Sequence, residues 1–480
     1  VARRPWLVVS IVTLLAAAAP RGLTPATPAV PAESDVLVTV AEVASDRATI
    51  WVRAEGGGTT RVRYGSEPTG LTPASPGGVK TATLAPDPRR DHTAHAVLTG
   101  LAPATRYVFE ALHGGAAVAG TFATAPRETD DVRARLLWSG DLGGGGHCRD
   151  VEDGYPIFSA MRRRRADFFL FLGDTIYADH PCGRPGRRPG AGDVAATSIA
   201  QFHAKHRDNR RDHAVQRFLR STPVYAVWDD HEVRNNFAAR FDPRAPTGLR
   251  AFRDYWAIDG PPGEPDRLYR RVRWGRHVEA FILDTRQYRS ANRDEDGPAK
   301  SMLGPVQRAW LLDGLAASDA TWKVVVTSVP LGMFTGGSVS DSWSSANALG
   351  FPRRGTGFVH ERDLILSWLF ERGVRNVVFL SGDAHHAELI RHEPVPGSVV
   401  HEFVAGPLSA RRGFPRFLDR SLGSRSLGAL GLANNFGELD ADGASLTVRV
   451  FDTSGSVRVT TRLVPDRGAT TVARAPVPLR

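Results

Sequence analysis

The chain has 480 residues, 42% apolar and 23% charged, with 48 Gly, 33 Pro and a formal net charge of +10. That length holds two or three domains with a sizeable core, and 22 Phe, 10 Trp and 8 Tyr exclude a disordered or collagen-like protein. Two cysteines exclude a disulfide scaffold, and no apolar run approaches the length of a membrane span.

The basic residues are almost all arginine: Lys80, Lys205, Lys300 and Lys323 are the four lysines among 61. Such an Arg, Ala and Gly bias reads either as the mark of a GC-rich genome or as a field that attracts anionic substrates or surfaces. No zinc-finger, RNP or basic-zipper pattern accompanies it, so charge alone gives no case for nucleic-acid binding.

Residues 1–19 open with Arg3-Arg4 and continue through an apolar stretch from Trp6 to Ala19, followed by a Pro/Ala/Thr-rich stretch to Glu33. A basic start, a short apolar region and small residues read as an export signal and linker over 1–33. Arg3-Arg4 before Pro5-Trp6-Leu7 loosely resembles a twin-arginine signal, without the Ser or Thr that usually precedes the pair. The expected location is secreted, periplasmic or cell-surface.

From residue 36 to 126 the pattern is short alternating runs between Gly/Pro turns, as at 48–52, 60–64 and 94–98, which predicts an antiparallel β-sandwich. Residues 101–107, Leu-Ala-Pro-Ala-Thr-Arg-Tyr, resemble the tyrosine-corner segment of fibronectin type III domains. That resemblance makes Tyr107 and Trp51 structural, with a substrate-binding role for the module as the alternative. From about 132 helical patterns at 157–164 and 361–372 alternate with apolar runs at 168–172 and 377–380, which predicts an α/β layer domain over 132–465. Its last part, 445–464, reads as two or three strands with a turn at Asp452-Thr453-Ser454-Gly455, and 466–480 as a tail.

Four segments share one grammar, an apolar run that stops at Gly or an acid. They end in Ser139-Gly140-Asp141, Gly173-Asp174-Thr175-Ile176-Tyr177, Trp228-Asp229-Asp230-His231-Glu232 and Gly382-Asp383-Ala384-His385. Open α/β sheets bind ligands at the carboxyl ends of their strands, where loops distant in sequence converge. Singly each motif is weak, because a Gly-Asp after a strand is usually a turn. Together they form a constellation with the donors of a metal centre.

Gly173-Asp174-x-x-Tyr177 with Asp141, Asp230-His231 and Gly382-Asp383-x-His385 resembles the PhoD-like alkaline phosphatase/phosphodiesterase family. This is a branch of the calcineurin-like metallophosphoesterases, similar to purple acid phosphatases in its metal-bound tyrosine. Further matches are Asp230-His231-Glu232-Val233-x-Asn235-Asn236, Leu283-Asp284-Thr285-Arg286 and Leu303-Gly304-x-x-Gln307-x-x-Trp310-Leu311. The resemblance implies a four-layer α/β/β/α sandwich preceded by a fibronectin III-like domain. It also implies a phosphoric-ester hydrolase acting on small phosphate esters or phospholipids, and we expect a monomer.

The resemblance further implies that Asp141, Asp174, Tyr177 and His385 hold Fe3+. Asp174 would bridge to a second ion, completed by Asp230 or Asn235 and by Asp383, with His231 as proton donor to the leaving group. Ferric iron suits carboxylate and phenolate oxygen, and paired cations at bridging distance clamp a transferring phosphoryl group and acidify water. Ordinary calcineurin-like enzymes have Asn-His where this chain has Asp230-His231, then a lone His that the run at 324–330 does not carry, and Gly-His-x-His where it has Gly382-Asp383-x-His385. Oxygen-only donors favour Ca2+, with Mg2+ or Mn2+ as alternatives. Some family members ligate iron through a cysteine near the first motif, where Cys148 lies. The alternative is a bridge to Cys182, which an exported chain with two cysteines favours.

Asp284 and Arg286 read as a structural ion pair beneath the site, with contact to phosphate as the alternative. The insert at 183–190, Gly-Arg-Pro-Gly-Arg-Arg-Pro-Gly, reads as a loop, either solvated or steering anions at the entrance. The same constellation serves monoesters and diesters, so alkaline phosphatase stands beside phosphodiesterase or phospholipase D-type hydrolase. An extracellular binding protein with a vestigial metal site is the non-enzyme alternative.

Overall fold

The computed structural model describes residues 36–467 apart from 68–70, 72–77, 145–147, 150–152, 183–193 and 239–240. The expected export signal, the Arg-rich insert and the end of the tail lie outside the described residues.

Seven strands come first: β1 (Val36–Ala41), β2 (Arg47–Ala54), β3 (Thr60–Ser66), β4 (Lys80–Leu84), β5 (Thr93–Thr99), β6 (Arg106–His113) and β7 (Ala116–Ala123). They form two facing antiparallel layers, β4-β3-β6-β7 and β1-β2-β5. Val38, Val40, Ile50 and Val52 of one layer meet Val62, Phe109 and Phe122 of the other. Each such buried side chain contributes about 1.5–3 kcal/mol. The Ala102 N–H donates to the Tyr107 hydroxyl at 2.8 Å, which pins the corner that the sequence predicts.

The alternate residues of β1 and β2 face the other way. Leu37, Ala41 and Trp51 belong to the core of the following α/β part, and the Trp51 indole donates to the Asp254 carbonyl at 2.8 Å. β1 is therefore buried on both faces, the pattern of a strand inside a covered sheet. It pairs in parallel with a later strand, Ala41 opposite Val224. The sandwich thus shares a nine-stranded sheet with the α/β part.

The rest of that sheet is β8 (Ala134–Ser139), β9 (Phe168–Leu172), β10 (Val224–Val227) and, near the chain end, β18 (Asn435–Ala441), β19 (Leu446–Asp452) and β20 (Val457–Leu463). The predicted turn at 452–455 joins β19 to β20. A seven-stranded sheet faces it: β11 (Arg270–Trp274), β12 (Val278–Ile282), β13 (Trp322–Val326), β14 (Val377–Ser381), β15 (Ala387–Val395), β16 (Ser398–Val404) and β17 (Arg425–Leu430).

The layers follow from alternation. Ala280, Val324, Val326, Val378 and Leu380 point between the sheets. Phe281, Val325 and Phe379 point outward, under α5 (Gly304–Ala317) and α6 (Val359–Glu371). On the far side, α1 (Ile157–Arg163) and α3 (His213–Leu219) cover β9, with Phe218 edge-on to Phe169. α2 (Ile199–Arg210) packs beside α4 (Ala245–Tyr255). This is the expected α/β/β/α arrangement. β8, β9 and β10 run parallel, as do β12, β13, β14 and β16. Their carboxyl ends open onto one place.

Candidate metal centre

Asp141, Asp174, Asp230 and Asp383 stand just past β8, β9, β10 and β14; the first three are buried and Asp383 is half-buried. Asp141, Asp174, Asp383 and His385 have φ between 49° and 61°, left-handed geometry that Asp and His adopt more readily than most residues. Such strain past three converging strands, β8, β9 and β14, marks a functional site.

Two groups of side chains form. In one, the His385 Nε2 lies 3.3 Å from the Tyr177 hydroxyl and 3.5 Å from the Asp141 Oδ1, and its Nδ1 faces the Arg411 carbonyl. In the other, carboxylate oxygens of Asp229, Asp230 and Asp383 lie within 4.8 Å of one another. Asp174 joins them: its carboxylate acts on Tyr177 and Asp141 on one side, and clusters with Asp230 and His231 on the other.

Glycines let the loops close. Gly144 has φ +89°, and a Cβ there would fall 2.1 Å from the Tyr177 ring. Gly406 has φ +128°, and a Cβ would stand 2.5 Å from the Asp141 Oδ2.

Below the cluster, the buried Glu232 carboxylate accepts the backbone N–H groups of Asp229, Asp174 and Thr175 at 2.8, 3.0 and 2.6 Å, and the Thr175 hydroxyl at 2.7 Å. It ties the ends of β9 and β10 together. Arg286, fully buried, donates to Asp229 at 2.6 Å and forks onto Asp341 at 2.8 and 2.5 Å. The expected Asp284–Arg286 ion pair is therefore corrected. Asp284 instead accepts the Trp228 indole at 2.9 Å, while Gln307 holds its backbone.

His231 stacks on Tyr177 and its Nδ1 lies 2.7 Å from the Asp179 Oδ1, which leaves Nε2 as the free ring nitrogen. Burial lowers the affinity of this imidazole for a proton, but Asp230 and Asp179 outweigh it and raise its pKa to about 9. Asn235 is exposed, and its backbone N–H donates to Asp179 at 2.8 Å. Of the two alternatives, Asp230 is the one drawn into the carboxylate cluster.

Among the described residues, five buried carboxylate oxygens find no hydrogen-bond donor: both of Asp141, Oδ2 of Asp174, Oδ1 of Asp230 and Oδ2 of Asp383. Burial, and then neighbouring carboxylates, hold Asp141 and Asp174 well above the usual carboxylate range. The same causes push Asp383 to about 7. Burial lowers His385 to about 4, leaving a neutral imidazole suited to ligation. Carboxylates this close and this poorly compensated need positive charge between them. The donor set fits metal ions.

The Cys148 and Cys182 sulfurs are bonded to each other, with Cα atoms 5.5 Å apart. The bridge staples the loop after β8 to the loop after β9, and Cys148 is not a free iron ligand. Sequence reading assigned no role to Asp179, Asp229, Glu232 or Asp341. The Asp-Asp doublet at 229–230 and the Asp two residues after Tyr177 were the available signals for the first two.

The family described as PhoD-like phosphatase matches residues 146–442. Among curated proteins, alkaline phosphatase D of Bacillus subtilis (strain 168) is 27% identical over 266 residues, 50% of this chain. That match spans 44% of the relative, less than half of its length. Among solved structures, one described as PhoD superposes with a TM-score of 0.73 at 18% identity, covering 91% of this chain and 92% of that one. A purple acid phosphatase from yellow lupin (Lupinus luteus) seeds gives 0.61 at 14% identity, covering 91% and 77%. At these identities the two structures share a fold with this chain.

Proposed function

The chain belongs to the PhoD-like phosphatase family, and from that premise we propose that it is an exported phosphoric-ester hydrolase with a ferric–calcium centre. The observation that carries this reading is the set of five donorless carboxylate oxygens at four converging strand ends. Asp141, Asp174, Tyr177 and His385 would hold Fe3+, and Asp174, Asp230 and Asp383 would hold Ca2+. The all-oxygen grouping of Asp229, Asp230 and Asp383 supports a hard cation at the second position. When bound, the ions supply Lewis acidity to the phosphoryl oxygens and to the attacking water.

The chain's own residues do the rest. Asp179 orients the His231 ring through Nδ1, so that a proton held at Nε2 is presented to the leaving oxygen. Glu232 fixes the backbone beneath Asp174, and Arg286 neutralises Asp229 under the site. The disulfide supports an oxidising compartment outside the cytosol. The proposed division is an export leader and linker over 1–33, a sandwich over 36–126, a catalytic part over 132–465 and a tail.

The test is metal analysis of the purified protein with turnover of a chromogenic phosphomonoester and a diester. One iron and one calcium per chain with turnover of either ester is expected, and the preferred ester decides between phosphatase and diesterase. A calcium chelator should abolish turnover while iron stays bound. Full restoration by zinc but not by calcium would overturn the second-metal assignment.

A further inference from the structure

Next to the metal centre lies a surface that hydrolysis of a small ester does not require. The loop 411–418 leaves His385 directly: the Gly413 N–H donates to the His385 carbonyl at 2.6 Å, and the Gly413 carbonyl accepts the Leu432 N–H at 2.8 Å. Beyond these bonds the sequence runs Phe414-Pro415-Arg416-Phe417, with Phe414 69% and Phe417 60% exposed. Leu432, 53% exposed, lies behind them across Gly431, whose ideal Cβ would stand 3.4 Å from the Phe414 Cα. On the other flank, Leu349 and Phe351 are 54% and 45% exposed. A Cβ at Gly350 between them would meet the Leu418 carbonyl and the Phe417 Cβ, and the Gly350 carbonyl accepts the Arg420 N–H at 2.9 Å. These five side chains therefore form a continuous ridge rather than scattered exposures.

The ridge is basic. Segments 346–357 and 409–418 contain five arginines and no acidic residue, and Asp419 beyond them is buried against Arg362 at 2.9 Å. Arg416 donates to the Phe334 carbonyl, Arg353 to the Ser345 carbonyl, and Arg420 lies over the Phe351 ring at 4.0 Å. Among the described residues none of Arg353, Arg411, Arg412, Arg416 and Arg420 forms an ion pair with a carboxylate. No described carboxylate answers their positive charge.

We propose that this ridge docks the enzyme on an anionic lipid surface, with Phe414 and Phe417 entering the headgroup–acyl boundary and the arginines meeting lipid phosphates. A soluble polyanion would engage the arginines but leave the phenylalanines in water. A neutral apolar partner would leave the guanidinium charges unanswered. An anionic bilayer answers both, because binding there sums buried apolar area and charge attraction. The loop is tied to His385, Leu432 and Phe334, so its rings are presented without first ordering the chain. Docking would bring the mouth of the metal centre to the lipid headgroups. The inference takes its location from the proposed site, but its test does not depend on turnover.

The metal-loaded protein is sedimented with phosphatidylcholine vesicles and with vesicles of equal phosphatidylcholine and phosphatidylglycerol, at low and high salt. Binding is expected to the phosphatidylglycerol vesicles and to weaken with salt. Phe414→Ser and Phe417→Ser should each weaken it roughly tenfold, and Arg412→Ser and Arg416→Ser each roughly fivefold. Hydrolysis of a soluble chromogenic ester by the phenylalanine variants should match the parent, which separates failed docking from a failed catalytic assignment. Equal binding to both vesicle types, or phenylalanine variants that bind like the parent, would overturn the proposal. So would tighter capture by soluble polyphosphate that ignores the phenylalanine substitutions, which would make the ridge a polyanion site.

Discussion

Tyr177 and His231 lie ring on ring, with centroids 4.0 Å apart and planes inclined by 24°. The proposed iron ligand and the proposed proton donor thus share one wall, and a truncation at either changes the shape around the other. Phenylalanine at 177 keeps the stack and removes one oxygen, so it isolates the chemistry of the phenol.

Tyr177→Phe is expected to abolish colour before it abolishes activity. Burial, then Asp174, Asp141 and Asp230, push this phenol well above its ordinary pKa, so only a strong Lewis acid can ionise it. A ferric phenolate absorbs visible light. The iron-loaded parent should be coloured and the variant pale, with Asp141, Asp174 and His385 still able to retain the metal. A colourless parent carrying stoichiometric ferric iron would return Tyr177 to a packing role.

His231→Asn should separate substrates by their leaving group. An alkyl phosphate needs a proton at the departing oxygen and should lose about 10²–10⁴-fold in turnover. A dinitrophenyl phosphate leaves unaided and should lose far less. Equal losses on the two esters would deny His231 the role of acid.

Glu232→Gln is a test at one remove from the metals. The amide presents an N–H₂ where the carboxylate accepts four donors, so Asp174 and Asp229 lose part of their backbone support. Metal affinity should fall about 10- to 100-fold, as for other supports behind ligands, measured as metal retained after dialysis. Parental occupancy would show that the strand ends hold without it.

Asp341→Asn should cost about 3–5 kcal/mol at neutral pH, because it strands the buried guanidinium of Arg289 and leaves that of Arg286 with only Asp229 as a hydrogen-bonded carboxylate. Burial alone would raise this carboxyl, but Arg286 and Arg289 hold it well below the usual range. A depressed folded pKa stabilises above the unfolded value near 4 and is lost as pH falls below it. In unfolding measurements the gap between parent and variant should therefore be full at pH 7 and shrink below about pH 4. A gap that stays constant down to pH 3 would contradict the ion-pair account.

The oxidised protein should titrate no thiol until it is unfolded and reduced. Cys148 and Cys182 are 34 residues apart in sequence, and closing such a loop stabilises by about 3–4 kcal/mol in the chain-entropy model. Replacing both by serine should lower the unfolding free energy by that order. Two thiols in the native protein would end the claim.

The legible part of this molecule was the part written locally. Gly173-Asp174-x-x-Tyr177 announces a strand end and its turn, and the alternation of Phe281 with Ala280 and Ile282 encodes a two-faced strand. Asp229 was harder, because which member of an acidic doublet turns inward depends on Arg286, 57 residues further on. Asp341 had no signal at all. It lies in an irregular loop, and its meaning comes from arginines that arrive from 286 and 289. The sharing of β1 between two layers was also hidden, since a run buried on both faces reads the same whatever covers the second face.

That sharing has a consequence for how the chain can be cut. Removing residues 36–123 would strip β1 from β10 and leave the backbone of 224–227 as a raw margin just upstream of Trp228–His231. It would also uncover the pocket that Trp51 fills beside Asp254 and Arg210. Deletion of the leading sandwich should therefore yield aggregates rather than a smaller working enzyme, and shuffling it onto another catalytic part would transplant half of a seam.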